Sequence, residues 1–196
     1  MEILLATANK GKVIELEEML TGMDIRVLSL SDFPGFPEIE ETGATFAQNA
    51  FLKARKAAEI TGLVSLADDS GLEVDALNGK PGVFSARYAG EPKSDERNID
   101  KLLEQLNIVP ELERSARFRC SLAVVAPDGQ EFLAEGTVEG RILKSRKGSG
   151  GFGYDPVFFL PDMDKTMAEL SLEEKNRISH RAIAFRKAVP IIQTLV

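Results

Sequence analysis

Apolar positions along this chain switch repeatedly between a strand period and a helix period. Ile3 to Thr7 is a short apolar run, after which Val13, Leu16, Met19 and Leu20 recur at helical spacing until Gly22. The pattern predicts a strand, the tight loop 7–12 and a helix. A second strand is predicted over 25–30, followed by an irregular segment with Pro34, Gly35 and Pro37. Phe46, Ala50, Ala54, Ala57 and Ala58 form the next helical stripe, opened by a capping box of Thr45 and Gln48 and closed by Gly62. Asn49, Lys53 and Lys56 fall on another, polar face of that helix. Leu63, Val64, Leu66 and Ala67 predict a buried strand that stops at Asp68-Asp69 and a glycine turn, with a separate alternating strand over 72–77.

Beyond a turn-rich stretch over 78–90, Ile99, Leu102, Leu103 and Leu106 mark an amphipathic helix. Phe118, Cys120, Leu122 and Val124 alternate with Arg119, Ser121 and Ala123, and Phe132, Ala134, Gly136 and Val138 with Glu131, Leu133 and Glu135, about Asp128-Gly129, which predicts a long antiparallel hairpin. A strand at 157–160 and a short helix capped by Ser171 and Glu174 come next. A last helix opens at Ser179-His180-Arg181, and Pro190 is expected to kink or split it. The expected class is mixed α/β: a long, bent sheet with flanking helices, arranged as two lobes of a single domain over 1–196. No internal repeat or long linker interrupts it.

Composition narrows the partners. A chain of 196 residues with 43% hydrophobic content buries roughly 70% of its unfolded surface without staples. Cys120 is the only cysteine, which suits a reducing compartment, and no apolar run reaches transmembrane length. The N-terminal apolar run is short and lacks a basic region, so it reads as a strand and not as a signal peptide. A cytoplasmic protein with no membrane partner is therefore expected. A net charge of −7 provides no global basic footprint for nucleic acid, so anions must be met at local clusters.

Several stretches carry candidate chemistry. Adjacent carboxylates at Asp68-Asp69 raise each other's pKa unless a cation or donor intervenes, which suits a metal or a general base. The loop Thr7-Ala8-Asn9-Lys10-Gly11-Lys12 opens a helix, aiming backbone amides and two lysines at an anion. It is not a Walker A loop, because Ala6 and Val13 stand where that motif needs glycine and a hydroxyl. Glu40 and Glu41 form a second acidic cluster, and Asn49 and Lys53, one turn apart on the polar stripe of their helix, could line a cleft. Gly148, Gly150 and Gly153 match a dinucleotide spacing but lead into a strand, which excludes that reading. The same loop carries Phe152 and Tyr154, which could stack on a base. No Cys or Ser is set beside a histidine base, since the one histidine, His180, lies in a basic segment.

Six motifs occur in order: Thr7-Ala8-Asn9-Lys10-Gly11-Lys12, Glu40-Glu41-Thr42-Gly43, Ala67-Asp68-Asp69-Ser70-Gly71, Pro81-Gly82-Val83-Phe84-Ser85-Ala86-Arg87-Tyr88, Gly150-Gly151-Phe152-Gly153-Tyr154-Asp155-Pro156 and Ser179-His180-Arg181. Together, over nearly the whole chain, they closely resemble the inosine triphosphate pyrophosphatase family. The resemblance implies two lobes with the active site in a cleft between them, and Mg²⁺-assisted hydrolysis of ITP, dITP and XTP to monophosphate and pyrophosphate by a homodimer. Thr7 to Lys12 would hold the triphosphate. Glu40 and Asp69 would bind Mg²⁺, with Glu41 and Asp68 close by, and Asp69 would accept the proton of the attacking water. Lys53 would face the phosphates. Ser70, Phe152, Gly153, Tyr154, Asp155, Lys175, His180 and Arg181 would contact substrate. Two other readings are weaker. A Maf-type pyrophosphatase is expected to open with Ser-Pro-Arg-Arg, where this chain has Asn-Lys-Gly-Lys, and a non-catalytic nucleotide or RNA binder would rely on the basic segment 141–151.

Overall fold

The computed structural model describes residues 1–195. Its elements are β1 (Glu2–Leu5), α1 (Lys10–Met19), β2 (Arg26–Ser29), α2 (Phe46–Thr61), β3 (Val64–Val74), α3 (Asp95–Gln105), β4 (Ser115–Val125), β5 (Glu131–Ile142), β6 (Phe158–Leu160), β7 (Lys165–Thr166), α4 (Leu172–Ile178) and α5 (His180–Leu195). Seven strands form one mixed sheet in the order β2-β1-β3-β4-β5-β6-β7. Strand β1 runs parallel to β2 and β3, with Leu4 opposite Leu28 and Ser65, whereas β6 runs antiparallel to β5 and β7. The expected α/β class is borne out. No helix among the described residues is long and apolar enough to cross a membrane.

The chain divides into two compact units. Among the described residues the first comprises 1–69, 120–136 and 181–195, and the second comprises 70–119 and 137–180. In the first unit, successive side chains of β1 point to opposite faces. Ile3 and Leu5 pack with Leu16 of α1 and Phe185 of α5, while Leu4 and Ala6 pack with the alanines of α2. Both faces of the sheet are thus covered, which explains why β1 and the end of β4 read as continuous apolar runs. The small stripe of α2 (Ala50, Ala54, Ala57 and Ala58) lets that helix lie close to the strands. In the second unit, Leu72, Val74, Ile99, Leu102, Phe118 and Phe158 form a separate core. Beside it, the buried Arg114 guanidinium donates to the Leu106, Val109 and Leu143 carbonyls, so its charge is matched by backbone dipoles at the end of α3.

Three local expectations are corrected. The strand predicted to stop at Asp68-Asp69 is instead one 11-residue strand, β3, that continues through Gly71 to Val74. Leu72 and Val74 are fully buried, which favours extension beyond the carboxylates, and no residue from 68 to 71 has positive φ. The Thr45-Gln48 capping box is only half made. Thr45 accepts the Gln48 N–H, but Gln48 Oε1 reaches past Thr45 to the Ala44 N–H at 2.7 Å. Helix α5 is not split at Pro190 but continues to Leu195, with the fully buried Ile192 in its last turns. Gly62, with φ 67°, ends α2 in the left-handed conformation as predicted.

Leu122 is fully buried in the first unit's core. Leu122→Ala is expected to lower stability by about 2–5 kcal/mol, measured by urea unfolding. A loss below 1 kcal/mol would contradict the packing described.

Candidate active site

Strand pleating decides what the two central carboxylates do. Leu66 faces the core built with α1 and α5, and Ala67 faces the core built with α2. Residues two apart share a face, so Asp68 points towards α1 and α5 while Asp69 points towards α2. They are neighbours in sequence with different surroundings.

Asp68 is 4% exposed. Lys12 Nζ, from the first turn of α1, lies 2.7 Å from both of its carboxylate oxygens. Arg181 Nε, from the start of α5, stands 3.6 Å from Oδ2, and the same guanidinium pairs with Glu15 of α1 at 3.1 Å. Burial opposes the Asp68 charge, but Lys12, Arg181 and Lys53 outweigh it and hold its pKa well below the usual carboxylate range. At any pH near neutral Asp68 is an ionised anchor that cannot usefully accept a proton.

Asp69 is different. Burial pushes its pKa up, and the charges of Glu41 and Asp68 push the same way, while Lys53 and a hydrogen bond from Asn49 only partly oppose them. Lys53 of α2 reaches Glu41 Oε1 at 2.6 Å and the Asp68 carbonyl at 2.8 Å. One turn earlier, Asn49 Nδ2 donates to Asp69 Oδ2 at 3.0 Å. Of the two readings of the polar stripe of α2, a solvated face does not hold for Asn49, which is 2% exposed and faces Asp69. Its position three residues after Phe46 puts it at the edge of the apolar stripe, which is the signal that could have marked it. Lys12, Asp68 and Arg181 thus form one cluster, and Glu41, Asn49, Lys53 and Asp69 form another. Glu40 is exposed and makes no hydrogen bond or ion pair with a described residue.

The loop 7–12 differs from the expectation of open amides. Asn9 caps α1, its Oδ1 accepting from the Gly11 N–H at 2.9 Å and more weakly from Lys12, and the Thr7 hydroxyl accepts from the Asn9 N–H. The small, polar sequence therefore satisfies the helix start by itself. Ala8, Lys10 and Gly11 are exposed along the same turn.

In the second unit, Lys175 of α4 pairs with Asp155 at 2.8 Å. Gly151 has φ 80°, a conformation that favours glycine, and a Cβ there would lie 2.0 Å from Asp155 Oδ2 and 2.3 Å from Lys175 Nζ, so a larger residue would displace the Asp155–Lys175 pair. The Gly153 N–H donates to Asp95 at 2.6 Å, and the buried Tyr154 hydroxyl donates to the Ser85 carbonyl at 2.8 Å. The loop is thereby fixed from several sides while the Phe152 ring stays 62% exposed at its tip. Sequence reading missed Asp95 and gave the Pro81–Tyr88 motif no role. Its Ser85 holds both Tyr154 and the Leu72 N–H. His180 stacks on Phe118 at 5.0 Å, and Ser70 is half-buried. The basic segment that would serve an RNA binder is partly neutralised, since Arg146 pairs with Asp100 and Lys147 with Glu169.

Among the described residues, no three His, Cys, Asp or Glu side chains converge as a metal cage. Two carboxylates and water are nevertheless enough for Mg²⁺, which keeps much of its hydration. The like-charge crowding of Asp69 by Glu41 fits such a hard divalent cation.

Comparison with known proteins agrees with the motifs. The model of the Ham1 family matches residues 3–191. The dITP/XTP pyrophosphatase of Desulforamulus reducens is 56% identical over 195 residues, covering 100% of this chain and 97% of that protein. The solved Ham1 proteins of Staphylococcus aureus and Coxiella burnetii are 44% and 43% identical, with TM-scores of 0.92 and 0.93 and 99% coverage of both chains in each comparison.

Asp68→Asn leaves Lys12 without its buried counter-charge and takes from Arg181 one of its two carboxylates, and is expected to cost about 3 kcal/mol at pH 7. The folded pKa of Asp68 is depressed, so its contribution is fully present above the unfolded value near 3.9 and is lost as pH falls towards the folded value. Urea unfolding of both proteins should therefore show a constant stability gap from pH 7 to pH 5 that narrows below about pH 4. A gap independent of pH down to 3 would contradict the assignment.

Proposed function

This chain belongs to the Ham1 family, and from that premise we propose that it hydrolyses the non-canonical purine triphosphates dITP, ITP and XTP to the monophosphate and pyrophosphate. The carrying observation is the divided carboxylate pair: a permanently ionised Asp68 locked to Lys12 and Arg181, beside an Asp69 whose proton affinity is raised. A proton acceptor works best when its pKa approaches the working pH, and Asp69 alone of the two moves in that direction.

In this mechanism a water attacks the α-phosphorus in line. Its oxygen forms the new P–O bond as the bond to the β-phosphate oxygen breaks, pyrophosphate leaves, and Asp69 takes the water's proton. Little covalent chemistry is asked of the protein, so positioning and charge compensation carry the rate. Lys10, on the exposed α1 turn, and Lys12 and Lys53, both within reach of the carboxylates, supply positive charge for the triphosphate. Glu41 and Asp69 would hold Mg²⁺, with Glu40 on the same loop as the other candidate. When bound, the ion neutralises phosphate charge and favours the leaving pyrophosphate.

The base is assigned to the second unit's loop. The exposed Phe152 ring offers a stacking face, and the loop is pre-shaped by Asp155, Lys175 and Asp95, which limits the ordering cost of binding. His180 and Arg181 are assigned to the 6-oxo edge, where a donor meets an acceptor in hypoxanthine and xanthine but an amine in adenine. Following the resemblance, the enzyme acts as a cytoplasmic homodimer.

The test is product identification with Mg²⁺ on ITP, XTP, dITP, GTP, ATP and dTTP. Pyrophosphate and monophosphate from the first three, with little from the rest, is expected; orthophosphate and diphosphate would move the cut to the γ-phosphate and overturn the mechanism. Asp69→Asn is expected to lower kcat by about 10³-fold with the fold and nucleotide affinity kept. Retention of most activity would show that Asp69 is not the base.

A further inference from the structure

We infer that Asn49 is a positioning residue for the reaction, a side-chain bridge that fixes the Asp69 carboxylate against the backbone of the acidic loop 40–43. The inference rests on the assignment of Asp69 as the proton acceptor.

Asparagine is a weak helix former, and its amide is costly to bury unless hydrogen-bonded. Asn49 nevertheless sits in the first turns of α2, following the Thr45 cap, at 2% exposure. Both ends of its amide are used. Oδ1 accepts the Gly43 N–H at 2.7 Å, and Nδ2 donates to Asp69 Oδ2 at 3.0 Å. The orientation is set by chemistry: a backbone N–H can only donate, so the oxygen must face Gly43 and the amino group must face Asp69. Asn49 therefore presents a donor to a carboxylate, in the one orientation that fixes where Oδ2 points.

The loop side is shaped for the same contact. A Cβ at Gly43 would lie 2.6 Å from Asn49 Oδ1, 2.7 Å from Gln48 Cβ and 3.0 Å from the Asn49 nitrogen. Only glycine lets the loop backbone come this close. Gln48 secures the next amide by accepting the Ala44 N–H. One turn further along α2, Lys53 makes a parallel bridge between the Glu41 carboxylate and the Asp68 carbonyl. A single helix face thus ties the acidic loop to the strand end by two rungs, and the Asn49 rung ends on the reacting carboxylate itself. A group that orients a catalytic carboxylate in this way typically changes activity by 10–100-fold when removed. Its loss falls on the chemical step more than on substrate binding.

The test uses three variants of the full chain with dITP and Mg²⁺. Asn49→Asp keeps the shape and the acceptor for Gly43 but replaces the neutral donor with a second carboxyl group set against Asp69. Asn49→Leu removes both contacts, and Gly43→Ala disturbs the bridge from the loop side with α2 unaltered. Each is expected to lower kcat at least tenfold with KM within about threefold of wild type. Because Asn49 acts through Asp69, Asn49→Leu should add nothing to the loss already caused by Asp69→Asn. The inference fails if Asn49→Asp and Gly43→Ala, folded by circular dichroism, both keep kcat within threefold, or if KM rises while kcat holds. It also fails if the Asn49→Leu and Asp69→Asn losses multiply. An active Asp69→Asn enzyme would instead overturn the assignment of the base itself, whatever Asn49 does.

Discussion

A carboxylate taken out of water needs cations close at hand, and the first unit is arranged around meeting that need for Asp68. Lys12 comes from the first turn of α1 and Arg181 from the start of α5, so two distant segments converge on one strand position. Glu15 then takes the other side of the Arg181 guanidinium. The anchor fixes the loop 7–12 through Lys12, and with it the exposed turn assigned to the triphosphate. Its charge also remains constant near neutral pH, unlike the neighbour whose proton affinity is raised.

That neighbour is Asp69, and the pleat of β3 separates the two. Turning one residue along a strand exchanges one helix layer for the other. Asp69 meets α2, where Asn49 offers a neutral donor, Lys53 stands nearby and Glu41 adds a like charge. The same residue type one position apart thus becomes an anchor on one face and a candidate base on the other.

In the second unit glycine and charge cooperate in a different way. Gly151 leaves room for the Asp155–Lys175 pair, and Asp95 and Ser85 hold the following residues from two other segments. The result is a rigid loop that presents one exposed aromatic ring. Arg114, sealed by three backbone carbonyls, ties the end of α3 to Leu143, where the chain enters that loop.

Local chemistry was legible in the sequence. The mixed α/β class followed from periodicity, the helix ends from Gly62 and Ser171, and the family from six short motifs, because each depends on residues close together in the chain. The outcome for Asp68 and Asp69 was not legible. Read locally, two adjacent carboxylates share one environment. Only the packing of α1, α2 and α5 on opposite faces of β3 decides which one is neutralised and which is left poised. Asn49 was legible as a residue that could line a cleft, but its partners were not: they are Gly43, six residues before it, and Asp69, twenty after it. Sequence by itself determined which chemical groups are available, since composition and local spacing are written in the chain. Tertiary structure decided their protonation and their partners, because both depend on distance and burial, which no local pattern encodes.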